Sequence, residues 1–443
     1  MTTGNQYKLL ISFAIPIFIG NVFQQLYSMI DTIIVGRFVG VEALAAVGAT
    51  GGFSFMLIGF SIGLAQGFSV LISQRFGAKD PEGIKKAYTQ SIICAFVITT
   101  LISIVFYFLA KPMLRLVRTP DNIIDMATDY ISIIYLFLNS AVFYNLFSSV
   151  LRALGDSKSP VLFLLLSSVL NILLDLFFVI VIPLAAKGVA IATVIAQFIS
   201  AIVSYIYIYA KYPVFRASAS YWRIDKAICK RLLAIGIPGA IQFSVCAIGV
   251  IVVQAFLNGF GSDAIAAYSV GCKIENIVTQ FFPALGIAIS TFAGQNFGAG
   301  KIKRIRNGFK SATIIMILYA IIASIAVRFI SEPLSYLFVD KNSANPNVIN
   351  MAVQYTTIAS YFFIPLGLIF IFRTGSQGLG SGSIPMLSSI LELSLRVIAA
   401  MILPGLIGYL GICLASPAAW IGAGFVLPFV CSKFIKKIEL NLN

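Results

Sequence analysis

The chain has 443 residues, 59% hydrophobic and 11% charged, with a mean hydropathy of +0.97. That balance excludes a water-soluble fold of this length and fits a polytopic helical membrane protein. The net charge of +15 would point to nucleic acid in a soluble protein. Here loop topology accounts for it, and no nucleic-acid partner is expected.

In chain order, Met1–Tyr7 is short and polar with no cleavage-site pattern, so the first apolar run reads as a retained helix. A hydrocarbon core ~30 Å thick needs about 20 apolar helical residues. Adequate runs fall near 9–36, 46–74, 87–110, 130–151, 160–183 and 188–210. A second set follows near 232–260, 266–295, 311–329, 348–372, 384–406 and 411–432. The expected fold class is therefore an all-α integral membrane protein of 12 transmembrane helices. Residues 1–210 form an N-terminal lobe, 211–231 a polar connection and 232–443 a C-terminal lobe. In the connection, Tyr221-Trp222 suits an interfacial anchor.

The two sets are copies. Val41–Ala78 lies over Ser262–Ala299 without a gap, at a constant offset of 221 residues. Gln74-Arg75-Phe76-Gly77-Ala78 becomes Gln295-Asn296-Phe297-Gly298-Ala299. Further on, Ala153-Leu154-Gly155 through Pro160 echoes Gly378-Leu379-Gly380 through Pro385 at offset 225. Six spans per copy is an even number, so both halves enter from the same side and the repeat is parallel. Duplicated units suit a machine that moves a solute by rocking one half against the other. Placing the N-terminus in the cytoplasm puts 22 of the 31 Lys and Arg on inner segments, Arg373 among them. Seven fall outside (Arg37, Lys111, Arg115, Arg118, Lys187, Arg328 and Lys341), and Lys273 and Arg396 lie within spans. That asymmetry predicts cytoplasmic termini.

An ionised side chain at mid-bilayer costs roughly 2.5–3.5 kcal/mol on insertion scales, so each one needs a reason. Asp31 shares a helical face with Gln24 and Tyr27, at spacings of three, four and seven. Asp175 shares one with Asn171, four residues earlier. Neither acid has a basic residue within a turn on its own face. Two such stripes are expected to face each other inside the first lobe. Buried carboxylates that meet cannot both ionise cheaply, so the site holds a proton or a small cation. The bland alternative is that both acids are structural.

The second copy differs. The positions matching Asp31, Asn171 and Asp175 are Val252 or Val253, Arg396 and Ala400. Glu392 and Arg396 are spaced for an internal ion pair. Glu275 contacts either substrate or another span, with Arg396 one candidate. Pro16 bends the first span; a static kink is the plain reading and a moving hinge the sharper one. Histidine is absent, which removes the usual metal ligand and neutral-pH base. The six cysteines show no paired spacing and read as small buried hydrophobes. No cofactor and no metal centre are expected beyond a coupling ion.

With these residues in hand, the chain resembles the multidrug and toxic compound extrusion (MATE) transporters over nearly its whole length. The resemblance rests on Pro16 with Gln24, Tyr27 and Asp31; on Glu42–Ala46 and its copy Asp263–Ala267; on the two Gln-x-Phe-Gly-Ala runs; on Arg152-Ala153-Leu154-Gly155-Asp156; and on Asn171 with Asp175. Its first lobe is similar to the branch related to the DNA-damage-inducible type. The resemblance implies two six-helix lobes around a central cavity. It implies a cation site of Asp31, Asn171 and Asp175 with Asn145 and Thr193, and a cavity wall including Gln24 and Tyr27. It also implies export of amphipathic organic cations across the cell membrane against inward sodium ions or protons. Another branch has a glutamate eight residues beyond its seventh-span proline, whereas here Pro238 is followed at that distance by Cys246.

Three other readings compete. A lipid-linked oligosaccharide flippase of the same superfamily would line its cavity with more basic residues, and some have fourteen spans. An intramembrane lipid-modifying enzyme would want histidine, a metal-binding cluster or a nucleophile beside a base, and none is evident. A channel would not need duplicated lobes. Oligomeric state is not set by the sequence, and a monomer is compatible with it.

Overall fold

The computed structural model describes residues 1–338 and 346–442, so Lys341 lies outside the described residues. Among the described residues no strand occurs. Hydrocarbon offers no hydrogen-bond partner, so each spanning segment must satisfy its own backbone. The first copy supplies α1 (Gln6–Ile34), α2 (Val41–Ala49), α3 (Gly51–Gly77), α4 (Pro81–Leu116), α5 (Asp121–Leu136), α6 (Leu138–Ala153), α7 (Lys158–Leu176) and α8 (Ala185–Lys211). Two short 3-10 turns, Pro213–Phe215 and Ala219–Trp222, lead to the second copy. It supplies α9 (Lys226–Leu257), α10 (Ser262–Thr279), α11 (Phe281–Gly298), α12 (Ile302–Ser335), α13 (Pro346–Ser360), α14 (Phe363–Gly378), α15 (Ser383–Ile407) and α16 (Tyr409–Leu442).

Ten stretches are long and apolar enough to span a membrane, and two bent pairs raise the number to as many as 12. The bent pairs are the fourth and tenth spans, drawn from sequence as single runs. The bend is 47° between α5 and α6, at Phe137, and 54° between α13 and α14. Neither glycine nor proline marks Phe137, so local propensity is silent about the break. The fourth span also starts earlier than its apolar run, because α5 carries acids that pair with neighbours. Asp125 meets Lys111 at 2.6 Å and Asp129 meets Lys187 at 3.0 Å.

Backbone punctuation repeats with the duplication. Gly40 and Gly261, 221 apart, have φ of 115° and 85°, and each opens a helix at the same point of its copy. Gly155 and Gly380, 225 apart, have φ of 95° and 94°. These left-handed values cost a side chain energy that glycine avoids. At a third such pair the first copy has drifted: Lys79 has φ 55° where its counterpart Gly300 has 67°.

The compact units differ from the lobes drawn at 210 and 232. One unit is Ile19–Phe243; the other joins Met1–Phe18 to Ser244–Asn443. The reason is packing. Leu10, Phe13, Ala14 and Ile17 of α1 are buried in one core with Phe281, Phe282 and Phe292 of α11. The start of that segment is tied down too, since Lys301 and Arg304 donate to the carbonyls of Thr2 and Gly4, both at 2.9 Å. In the other unit, the first half of α9 crosses α3 on glycine. A Cβ on Gly63 would stand 2.3 Å from the Gly239 carbonyl oxygen, and one on Gly67 2.5 Å from the Gly236 Cα. Small residues let helix backbones approach in this way. The connection belongs to the same unit. Thr89 and Gln90 of α4 donate to the Tyr221 carbonyl, at 2.9 and 3.1 Å, and the Tyr221 hydroxyl donates to Glu82. Tyr221 is thus held by protein hydrogen bonds.

The Lys79 position is a test of the shared backbone. Lys79→Gly should raise stability, and Gly300→Ala lower it, each by roughly 1 kcal/mol, the cost of a left-handed side-chain residue. Gly300 has nothing within 4 Å of a built Cβ, so the penalty there is conformational. Thermal unfolding in detergent checks both; an unchanged midpoint for both variants would contradict the assignment.

Candidate functional site

The site is built in the unit Ile19–Phe243, from the ends of two helices that finish alike. Straight after Ile34 the α1 spiral widens into a π-helical turn, Val35–Val39, and after Leu176 α7 widens into another, Phe177–Val181. Such turns inside helices recur at functional sites. Asp31 lies one turn before the first and Asp175 just before the second. Asp175 is fully buried and Asn171 nearly so, whereas Asp31 is half-buried.

The two predicted stripes do meet. The Asp31 and Asp175 carboxyl groups lie within hydrogen-bonding reach of each other. The Oδ1 atom of each is buried and has no hydrogen-bond partner among the described residues. Tyr27 bonds to Asn171. Network satisfaction sets the Asn171 amide orientation. With Oδ1 accepting from the Thr193 backbone N–H at 3.0 Å, Nδ2 donates to Asp175 Oδ2 at 3.2 Å and to the Tyr27 hydroxyl. The opposite orientation instead lets Nδ2 donate to Thr193 Oγ1 at 3.4 Å. Carboxylate and hydroxyl oxygens therefore meet at the acid pair, with the Asn171 amide donating to them. They are hard donors, of the kind that hold a proton or a small alkali cation.

Two further sequence candidates form no hydrogen bond with this group among the described residues. Asn145 of α6 donates to the Ala141 carbonyl of its own helix, at 2.9 Å, and no hydrogen bond joins it to either acid. Gln24 is exposed, one turn before Tyr27. Conversely, sequence reasoning missed Tyr130 of α5, a buried residue within electrostatic reach of both aspartates. Its only sequence signal is a tyrosine in an apolar run.

The second unit uses its intramembrane charges differently. Glu392 of α15 is clamped between two arginines: Arg396 Nη2 at 2.7 Å, as expected, and Arg373 Nη1 at 3.4 Å. Arg373 also donates to Ser389 Oγ at 3.1 Å. All three charged groups are more than nine-tenths buried. Arg373 is therefore not a cytoplasmic loop residue as its position had suggested. It lies inside α14, held there by Glu392. Glu275 of α10 accepts from the Tyr355 hydroxyl of α13 at 2.5 Å, with Arg396 in electrostatic range but not bonded to it. Where the first copy brings Asp31 to Asp175, Val253, one of the two candidate counterparts of Asp31, lies with Ala400 in one apolar cluster. Pro16 lies inside α1, which continues through it unbroken.

A duplicated helical bundle that crosses the membrane many times, with an acid pair in one copy only, is the architecture of a membrane transporter. Comparison with known proteins agrees. The MatE family model matches residues 16–177 and again 238–402, one match per copy. Two relatives come from Bacillus subtilis strain 168. The probable multidrug resistance protein YoeA is 30% identical over 336 residues, covering 72% of this chain and 73% of its own. The probable multidrug resistance protein YpnP is 28% identical, covering 84% and 82%. A solved multidrug resistance MATE family transporter of the MOP superfamily, described as outward-facing, superposes with a TM-score of 0.91. It is 21% identical and covers 98% of this chain and 97% of its own. The chain belongs to the MATE family of multidrug efflux transporters.

The arginine clamp makes a prediction about stability. Glu392→Leu leaves two buried guanidinium groups without their shared acid and should cost roughly 3–5 kcal/mol. Thermal unfolding of the purified variant would show a large drop, and a midpoint equal to the parent protein's would refute the pairing.

Proposed function

We propose that this protein exports amphipathic organic cations in exchange for inward sodium ions or protons, and that Asp31 and Asp175 carry the coupling ion. The observation that supports this most is the free valence at the acid pair. The two carboxyl groups meet, Asp175 fully buried and Asp31 half-buried, and each has one buried oxygen without a hydrogen-bond partner among the described residues. Two charges so placed repel unless a proton or a cation lies between them. Tyr27 and Asn171 flank the pair, and Thr193 orients the Asn171 amide.

An ion bound there changes the relative stability of inward- and outward-open states only if its affinity differs between them. A cationic drug competing for the same negative pair biases the same equilibrium in place of the ion. Exchange then follows, because the pair holds one positive guest at a time. In this reading Pro16 is the point at which α1 flexes. Glu275, held by Tyr355, is not required for coupling. The relatives named as multidrug resistance proteins favour small organic substrates. The excess of Lys and Arg on the inner loops supports a cell-membrane protein with cytoplasmic termini; the removal of Arg373 from that set leaves the asymmetry intact.

The test is efflux of a fluorescent cationic dye from proteoliposomes, under sodium and pH gradients imposed separately. The parent protein should respond to at least one gradient. Asp31→Asn should respond to neither while still inserting and unfolding cooperatively. Gradient-driven efflux at the parent rate from that variant would end the proposal.

A further inference from the structure

A groove of about 800 Å³ opens on the unit Ile19–Phe243, remote in character from the acid pair. It runs between α4, the α5–α6 bend and α8, and its walls include Phe96, Phe137, Phe143, Ile195, Phe198 and Ile202. No charged residue lines it. The bend at Phe137 forms part of its wall.

The few polar groups in the wall are already spoken for. Asn139 accepts from the Thr99 hydroxyl and donates to Thr100 Oγ1 at 3.2 Å. Ser140 donates to the Phe137 carbonyl at 2.8 Å. The groove therefore asks for an apolar guest. On α8 its lining includes Ile191, Ile195, Phe198, Ile202 and Tyr205, at alternating spacings of four and three that keep to one helical face. The fourteen steps from Ile191 to Tyr205, at 1.5 Å each, extend about 21 Å, more than the half-thickness of a ~30 Å hydrocarbon core. A tail could lie along it over the full depth of one leaflet.

At the end of the groove the chemistry changes. Tyr205 stacks on Tyr209 with ring centroids 6.4 Å apart, and the Arg216 guanidinium lies 5.5 Å from the Tyr209 ring. Arg216 donates to the carbonyls of Tyr209 and Ala210, the last turn of α8. It is exposed and forms no ion pair among the described residues. Its neighbour Lys211, in contrast, is committed to Asp156 at 3.2 Å. The apolar slot thus ends at Tyr205, and the stacked Tyr209 leads from it to a basic group with spare donors beyond the last turn of α8.

We infer that this groove is a resident-lipid site: an acyl tail of an anionic phospholipid fills the slot and its phosphate is held by Arg216. The inference does not depend on the coupling mechanism.

The experiment uses the full chain in mixed phosphatidylcholine–phosphatidylglycerol vesicles. These are doped with a phosphatidylglycerol that carries a diazirine at the end of one acyl chain. Photolabelled positions are then read by mass spectrometry. Labels should concentrate on Phe137, Phe198 and Ile202. Unlabelled phosphatidylglycerol should compete about fivefold better than phosphatidylcholine, the scale of one basic residue at a membrane surface. Arg216→Gln should make the two competitors equal, and Arg216→Lys should preserve the difference. Ile202→Trp, at an exposed wall position, should clear label from Phe198 without changing it at Leu101 or Phe108 elsewhere on the apolar surface. Even labelling over exposed apolar residues would overturn the inference. So would displacement of the lipid by a cationic dye, which would make the groove part of the substrate's route. The competition on the parent protein decides the matter even if a variant fails to insert.

Discussion

The structure is governed by the cost of leaving a charge or a polar group unmatched in hydrocarbon. Water is absent there, so any carboxylate, guanidinium or amide must find its complement inside the protein. Each copy of the duplicated bundle solves this problem, and the two solutions differ in kind. Around Glu392 opposite charges neutralise one another: an acid lies between two bases, with a serine hydroxyl accepting from Arg373, while Arg396 Nε keeps no hydrogen-bond partner among the described residues. Around Asp31 and Asp175 the solution is open, because two acids meet and each keeps an oxygen without a protein partner. A neutralised cluster holds helices together. An open one needs a mobile positive guest, and that difference separates a structural ion pair from a coupling site.

Duplication explains why the comparison between copies is so direct. The same backbone devices recur at the same offsets: glycines of left-handed conformation ahead of α2 and α10, and again after α6 and α14. Even the bend inside the fourth span has its partner in the tenth. On that shared frame side chains have diverged freely. The positions that carry Asp31 and Asp175 in one copy are apolar in the other: Val252 or Val253, the latter within a single cluster with Ala400. Geometry was inherited and chemistry was not, which is why one copy alone supplies an ion site.

The bend at Phe137 connects fold to surface chemistry. It comes where α5, which carries salt bridges to Lys111 and Lys187, hands over to α6, and residues on both sides of it line the groove beside α8. Satisfied polar groups in that groove follow the same rule as the buried clusters. Asn139 is tolerated at the apolar wall because Thr99 and Thr100 complete it.

Composition and run length determined, without coordinates, that the chain crosses the membrane many times, and the offset of 221 showed that it does so in two copies. Helical spacing put Tyr27 with Asp31 and Asn171 with Asp175, because a helix's own geometry places residues three and four apart on one face. The pairing of Glu392 with Arg396 was legible for the same reason. What lay beyond a single helix was not. Arg373 passed for a loop residue because its partner stands on another helix. Tyr130 joined the acid pair, and Asn145 turned back onto its own backbone, by choices that only neighbouring spans impose. The compact units likewise divide at Phe18 and Phe243, far from the polar connection, because the first halves of α1 and α9 are assigned by what they pack against. Periodicity is a property of one segment, whereas a partner is a property of the packed bundle.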